Sequence, residues 1–209
     1  MKEKVLVLGT GGHCQSVLDA LSSQNIYEPY LIDNCSEKVK YGLPVLGGDA
    51  CLESLFKDGY RYAFVAVGSV GNPGLRVKLI IMLKNIGFEI PNIIDKSATI
   101  ANNAQLGNGV FVGKGVIINS YCNIGSNCII NTGCIVEHGC EIGEFVHIAP
   151  GVTLCGKVII GNNTHVGAGS TVIQDISIGE NTLIGAGSVV TKNMGSGLLA
   201  YGNPCRVIK

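Results

Sequence analysis

Tryptophan is absent from the 209 residues, and other aromatics are scarce, at five phenylalanines and seven tyrosines. A core built on stacked rings is thereby excluded, so Ile, Val, Leu, Ala and Cys must fill the interior. Net charge is also missing, with 15 Lys and Arg against 15 Asp and Glu. A chain without a basic field has no means of tracking nucleic-acid phosphates. No run approaches the ~18 uninterrupted apolar residues of a membrane span. Leu75 to Phe88, for instance, is broken by Arg76, Lys78, Lys84 and Asn85. The start, Met1-Lys2-Glu3-Lys4, leads at once into a short apolar strand with no cleavage-site pattern, so the cytoplasm is the expected compartment. No CxxC pair occurs among the nine cysteines. An odd count in a reducing compartment points to neither a disulfide framework nor a zinc knuckle, and no metal is expected.

What is present is a period. From Ile94 to Val190 every sixth residue is aliphatic, seventeen times in succession and without an insertion. Glycine often follows it, as at Gly107, Gly113, Gly125, Gly143, Gly161 and Gly167. Neither a helix of period 3.6 nor a plain strand of period two produces this pattern. It is a hexapeptide repeat, the signature of a parallel β-helix. Three hexapeptides make a triangular coil of 18 residues, with the aliphatic residue pointing inward and glycine or asparagine relieving strain at the corners. Coils stack at about 4.8 Å, and seventeen hexads make between five and six coils, enough for a continuous core. Two places before each aliphatic residue the side chain is small: Ala98, Ala104, Val110, Val116, then Cys122, Cys128, Cys134 and Cys140. Those four cysteines are expected to pack as small hydrophobes. After Val190 the repeat stops, and Tyr201 to Ile208 reads as a cap over the last exposed edge.

The first ninety residues follow another pattern. Lys4 to Gly9, Tyr30 to Asp33 and Tyr62 to Gly68 read as strands, with helices running to about Leu21 and over Leu75 to Asn85. That alternation predicts a small Rossmann-like parallel α/β sheet over residues 1–90, joined near Pro91 to a β-helix over 91–209. The loop Gly9-Thr10-Gly11-Gly12-His13 resembles a dinucleotide fingerprint but has Cys14 where the third glycine belongs. NAD is therefore not expected. Backbone N–H groups at the start of the helix suit a phosphate or diphosphate, and Asp33 lies where a ribose or sugar hydroxyl would donate to it.

A GxGGH α/β domain followed by hexapeptides carrying Val136-Glu137-His138-Gly139-Cys140-Glu141-Ile142-Gly143-Glu144-Phe145-Val146-His147 resembles the nucleotide-sugar acetyltransferases of bacterial glycan pathways. These include the bacillosamine N-acetyltransferase and the sialic acid O-acetyltransferase-like proteins. The tail Tyr201-Gly202-Asn203-Pro204-Cys205-Arg206-Val207-Ile208 is similar to the closing G-x-P-A-[RK]-x-I signature of the hexapeptide acyltransferases, with Cys205 in place of alanine. The resemblance covers essentially the whole chain, and the left hand of the β-helix is taken from it, since ordinary parallel crossovers are right-handed. It implies a homotrimer with acetyl-CoA lying along the groove between neighbouring prisms. It also implies His138 as catalytic base, His147 near the acetyl group, and coenzyme contacts at Gly156 and Ala168. Gly11, Gly12, His13, Asp33 and Gly68 fall on the nucleotide-sugar positions. One departure stands out, since the bacillosamine enzyme has an acid after the base and this chain has Gly139. Glu137, Glu141 or a group from an adjacent subunit then has to orient the imidazole.

The chemistry implied is modest. A thioester is already activated, and a histidine with a pKa near 6.5 suits removal of the acceptor's proton, with backbone N–H groups serving the oxyanion. His147 and His165 are 18 residues apart and are expected to stack on successive coils, where two cations would repel. N-acetylation of a nucleotide-linked amino sugar is the leading expectation. O-acetylation of a sugar hydroxyl and a non-catalytic sugar-nucleotide-binding β-helix are the alternatives.

Overall fold

The structure is a computed structural model describing residues 2–209. Contacts divide it into two compact units. One comprises the chain up to Ser69 with Gly74–Asp95, and the other Val70–Pro73 with Lys96–Lys209. Among the described residues no helix is long and apolar enough to cross a membrane.

The first unit is a three-layer α/β arrangement with a five-stranded sheet. Strand β1 (Glu3–Leu8) is central, with β2 (Tyr27–Ile32) and β5 (Tyr62–Val65) parallel on either side. The sequence EKVLVL explains β1, since Val5, Leu6, Val7 and Leu8 are all buried, as a strand covered on both faces must be. Helix α1 (Gly12–Gln24) follows β1 and ends on Asn25 in the left-handed conformation, φ 58°. Helix α3 (Gly74–Ile86) follows β5. The strands expected from sequence are present, with β2 beginning three residues earlier than read. The sequence reading overlooked an antiparallel hairpin, β3 (Val39–Lys40) and β4 (Leu43–Gly47), and the short helix α2 (Leu52–Lys57). Strand β4 pairs parallel with β2 and extends the sheet.

The second unit is a left-handed parallel β-helix of two-residue strands. Each strand pairs with the one 18 residues on, Ile117 with Ile135 and His147 with His165 for example. The first face carries Phe111, Ile129, His147, His165 and Leu183 as its outward residues. The second carries Ile117, Ile135, Thr153, Thr171 and Val189, and the third Asn123, Glu141, Ile159 and Ser177. From Val112 to Val190 the inward aliphatic residues are at most 4% exposed, each contributing roughly 1.5–3 kcal/mol by burial. The first coil has only one neighbour, and its Ile100 and Leu106 are half-buried. At the other end Leu199–Tyr201 pairs onto Leu183–Ile184 and Arg206–Val207 folds back on it, forming the expected cap.

The backbone corrects the simple corner account. A left-handed residue recurs every sixth position from Gly109 to Gly187, three places after the aliphatic residue. Glycines immediately after the aliphatic residue have another purpose. A Cβ on Gly125 would lie 2.6 Å from the Gly143 carbonyl carbon, and one on Gly167 2.5 Å from the Ala186 nitrogen. They permit close stacking of coils rather than unusual φ. The small inward slot is also more than filler. Cys128 donates from Sγ to the carbonyl of Gly143 at 3.0 Å and Cys134 to that of Ala149 at 3.0 Å. Farther along, Thr164 donates to Gly179 and Ser170 to Gly185. A thiol or hydroxyl in this slot therefore satisfies a corner carbonyl fifteen residues on.

Candidate functional site

His138 stands on the corner between the second and third faces, two residues beyond the Ile135–Val136 strand, and is exposed. One coil later the same corner position is Gly156, whose added Cβ would lie 2.7 Å from His138 Cε1 and Nε2. The Cε1–Nε2 edge of the ring thus occupies the space a side chain would fill on that coil. The Lys157 N–H donates to the His138 carbonyl at 2.9 Å, and the Gly139 N–H to the Ser120 carbonyl at 3.0 Å. These bonds fix the backbone, while among the described residues neither ring nitrogen is engaged by the chain. Glu137 does not orient the imidazole, since its Oε2 accepts from the His138 backbone N–H at 3.4 Å. Gly139 has φ 70°. Tyr121, Lys157 and Asp175 adopt the same conformation at this corner on other coils, so the corner itself tolerates a side chain.

His147 is elsewhere. It is nine residues from His138, half of an 18-residue coil, and so faces outward from the first face, opposite that corner. Its ring meets that of His165 edge-to-face, with centroids 4.7 Å apart and planes at 89°. The stack expected from the 18-residue spacing is present. Asn131 Nδ2 lies 3.3 Å from His147 Nε2; with the amide donating, Nε2 accepts and Nδ1 carries the proton. Ala168 is exposed on the corner adjoining the first face. That corner has glycine at every left-handed position, Gly115, Gly133, Gly151, Gly169 and Gly187, and a Cβ on any of these would meet nothing within 4 Å. His138 and Gly156 are therefore brought together on one corner, His147 lies on the face opposite it, and Ala168 on the separate corner between the first and second faces.

In the first unit the loop between β1 and α1 is tightly specified. Gly9 has φ 90°, and a Cβ there would lie 2.6 Å from Val67 Cγ2. Thr10, 3% exposed, donates to Asp33 Oδ2 from its N–H at 2.7 Å and from its hydroxyl at 2.6 Å. Asp33 thus clamps the loop, a role the sequence reading did not assign. Gly11 caps α1 without a side-chain bond, and no acidic residue occupies the first turn. Space around Gly11 and Gly12 is open, as nothing lies within 4 Å of an added Cβ. Gly68 sits beside His13, where an added Cβ would lie 3.5 Å from His13 Cβ. Arg76 was missed as well. It is 2% exposed and donates to the Val67 carbonyl at 2.9 Å, supporting the segment after β5. A cation near the start of the apolar run Leu75 to Leu83, two residues before Lys78, was its signal. A groove of about 710 Å³ between α2 and α3, lined by Phe56, Ile81 and Met82, contains none of these residues.

Burial pushes the Cys14 thiol up to about 11, with help from the Asp33 charge, and burial likewise pushes Cys134 up to about 11. Both are protonated at neutral pH and unsuited to nucleophilic attack. Among the described residues no cluster of three or more His, Cys, Asp or Glu could hold a metal.

Residues 4–83 match the family model described as the PglD N-terminal domain, and residues 121–156 and 157–192 match the bacterial transferase hexapeptide model of six repeats. A perosamine N-acetyltransferase from Caulobacter crescentus, solved with CoA and GDP-perosamine, is 34% identical with a TM-score of 0.94, covering 99% of this chain and 97% of that one. It was solved as variants in which one histidine is replaced, by asparagine or by alanine. The acetyltransferase domain of PglB from Neisseria gonorrhoeae, solved with acetyl coenzyme A, is 29% identical with a TM-score of 0.93 over 100% of both chains. WeeI from Acinetobacter baumannii is 25% identical with a TM-score of 0.87, covering 99% of this chain and 100% of that one. Among curated proteins compared by sequence there is no match.

Proposed function

Because the chain belongs to the hexapeptide-repeat nucleotide-sugar N-acetyltransferases, we propose that it moves the acetyl group of acetyl-CoA to the amino group of a nucleotide-linked amino sugar. The observation that carries this is His138, an exposed imidazole lying against Gly156 with both ring nitrogens left to an outside partner. The amine attacks the thioester carbonyl, so the C–N bond forms as the C–S bond breaks. The amine's proton passes to His138, which returns it to the departing thiolate. Base catalysis of this kind contributes typically ~10²- to 10⁴-fold.

The first unit's loop binds the nucleotide diphosphate through the N–H groups at the start of α1, where the open space around Gly11 and Gly12 admits an anion. Gly68 and His13 border the same loop, and Asp33 Oδ1 is available to a ribose hydroxyl. The working form is a homotrimer. His138 with Gly156 and His147 are on opposite sides of one prism, and Ala168 is on a different corner from His138, so a single site uses the His138 corner of one copy and the first face, with its Ala168 corner, of the next. Acetyl-CoA then lies along the bare glycine corner beside Ala168, its acetyl end toward His147. The nine free cysteines suit a reducing cytoplasm, where acetyl-CoA is available.

The test is release of free CoA thiol from acetyl-CoA in the presence of GDP- or UDP-linked amino sugars. Wild-type protein is expected to turn over with at least one of them, and His138→Ala to lose ~10²-fold or more in kcat at saturating substrates. Near-normal turnover by His138→Ala would remove the histidine from the reaction.

A further inference from the structure

We propose that Tyr41, in the hairpin between β3 and β4, is a positioning residue that aims the Gly11 N–H at the diphosphate of the nucleotide-sugar. The proposal rests on the reading of the Gly9–Gly12 loop as the nucleotide site and adds to it a residue outside the loop.

Three observations combine. First, Tyr41 and Gly42 are the two loop residues of the hairpin, with φ 52° and 75°. Positive φ at both positions belongs to a type I′ turn, which favours Asn-Gly. A bulky aromatic at the first position is strained, and strain of this sort persists where the surroundings over-determine it. Second, the hydroxyl is engaged on both sides. It donates to the Thr10 carbonyl at 2.9 Å and accepts from Gln15 Nε2, in the first turn of α1, at 3.3 Å. Third, the other polar atoms of Thr10 are both held by Asp33.

The consequence follows from the peptide plane. In a trans peptide the Thr10 carbonyl and the Gly11 N–H point in opposite directions. Holding the carbonyl toward Tyr41 turns the Gly11 N–H to the opposite side. Neither the Gly11 nor the Gly12 N–H donates within the chain among the described residues. Glycine on both sides of Thr10 would otherwise leave this plane free to rotate. Asp33 fixes one end of the residue and Tyr41 the other, so the donor is set before the ligand arrives, and the ordering cost on binding falls.

The experiment titrates GDP and UDP into wild-type protein, Tyr41→Phe and Tyr41→Asn by calorimetry, with melting temperatures measured alongside. Tyr41→Phe keeps the strained ring and loses the hydroxyl, whereas Tyr41→Asn relieves the turn and loses the latch. Both are expected to bind the preferred nucleotide about 3- to 10-fold more weakly, the worth of one hydrogen bond, with the KM for acetyl-CoA unchanged. Tyr41→Asn is expected to melt higher than Tyr41→Phe while binding no better. Affinity that follows melting temperature across the three proteins would make Tyr41 a structural residue only and overturn the proposal. Wild-type affinity in Tyr41→Phe would also overturn it. Failure of the wild-type protein to bind either nucleotide would instead overturn the reading of the loop, and the latch with it.

Discussion

Subunit complementation tests the placement of the two histidine groups on opposite sides of one prism. His138→Ala removes the proposed base on one side. Ala168→Arg, at an exposed position on the corner adjoining the first face, blocks the proposed coenzyme groove without disturbing the core. Each homogeneous trimer is expected to be nearly inactive, the first by the ~10²- to 10⁴-fold typical of a lost base. Co-expressed in equal amounts with different tags, the two chains are expected, if the proposed homotrimer holds, to assemble at random around a three-fold ring of head-to-tail interfaces. An interface regains both groups when its corner comes from the Ala168→Arg chain and its first face from the His138→Ala chain. That arrangement arises in about one interface in four, from a half chance at each side. The unfractionated mixture should therefore recover roughly a quarter of wild-type turnover, and trimers carrying both tags about a third. CoA thiol release at saturating acetyl-CoA and acceptor reads the result. Recovery no greater than the average of the two parents would refute the two-subunit site.

Other expectations concern the scaffold. Cys134→Ser should cost under about 1 kcal/mol, since a hydroxyl satisfies the Ala149 carbonyl as Ser170 does that of Gly185, whereas Cys134→Ala should cost ~1–3 kcal/mol; equal melting temperatures would show that the thiol's hydrogen bond is worth nothing. Gly167→Ala, whose Cβ would strike Ala186 backbone, should destabilise far more than Gly151→Ala, which meets nothing and pays only for φ 69°, about 1 kcal/mol; urea midpoints in the reverse order would count against the close-stacking account. Stability should also fall in alkali. Cys14 and Cys134 have folded values raised from 9.0 to about 11, so the folded form holds their protons more tightly than the unfolded chain does. Their contribution is complete below about pH 9 and is lost as pH climbs through about 11. A melting temperature that is flat across that window, with no difference from the Cys14→Ala variant, would show that burial does not hold these protons.

The period of six determined the architecture on its own. An aliphatic residue at each sixth position from Ile94 to Val190 leaves one way to bury all of them, and the 18-residue register is its consequence. Glycine and the histidine motif were legible for the same reason, because each is a residue type at a fixed offset from the repeat. The sequence also placed Gly11, Gly12 and Asp33 at the ends of strands. What it left undecided depends on contacts between residues far apart in the chain. Asp33 was legible as an acid at a strand end, but its hold on Thr10 spans 23 residues, and Tyr41 reaches the same residue across 31. The hairpin that carries Tyr41 was missed because Tyr-Gly is a poor signal for a type I′ turn; the turn is held by its tertiary hydrogen bond rather than by local preference. The separation of His138 from His147 shows the division most clearly. Nine residues apart, the two look like neighbours in one motif, yet half a coil of backbone puts them on opposite sides of the prism.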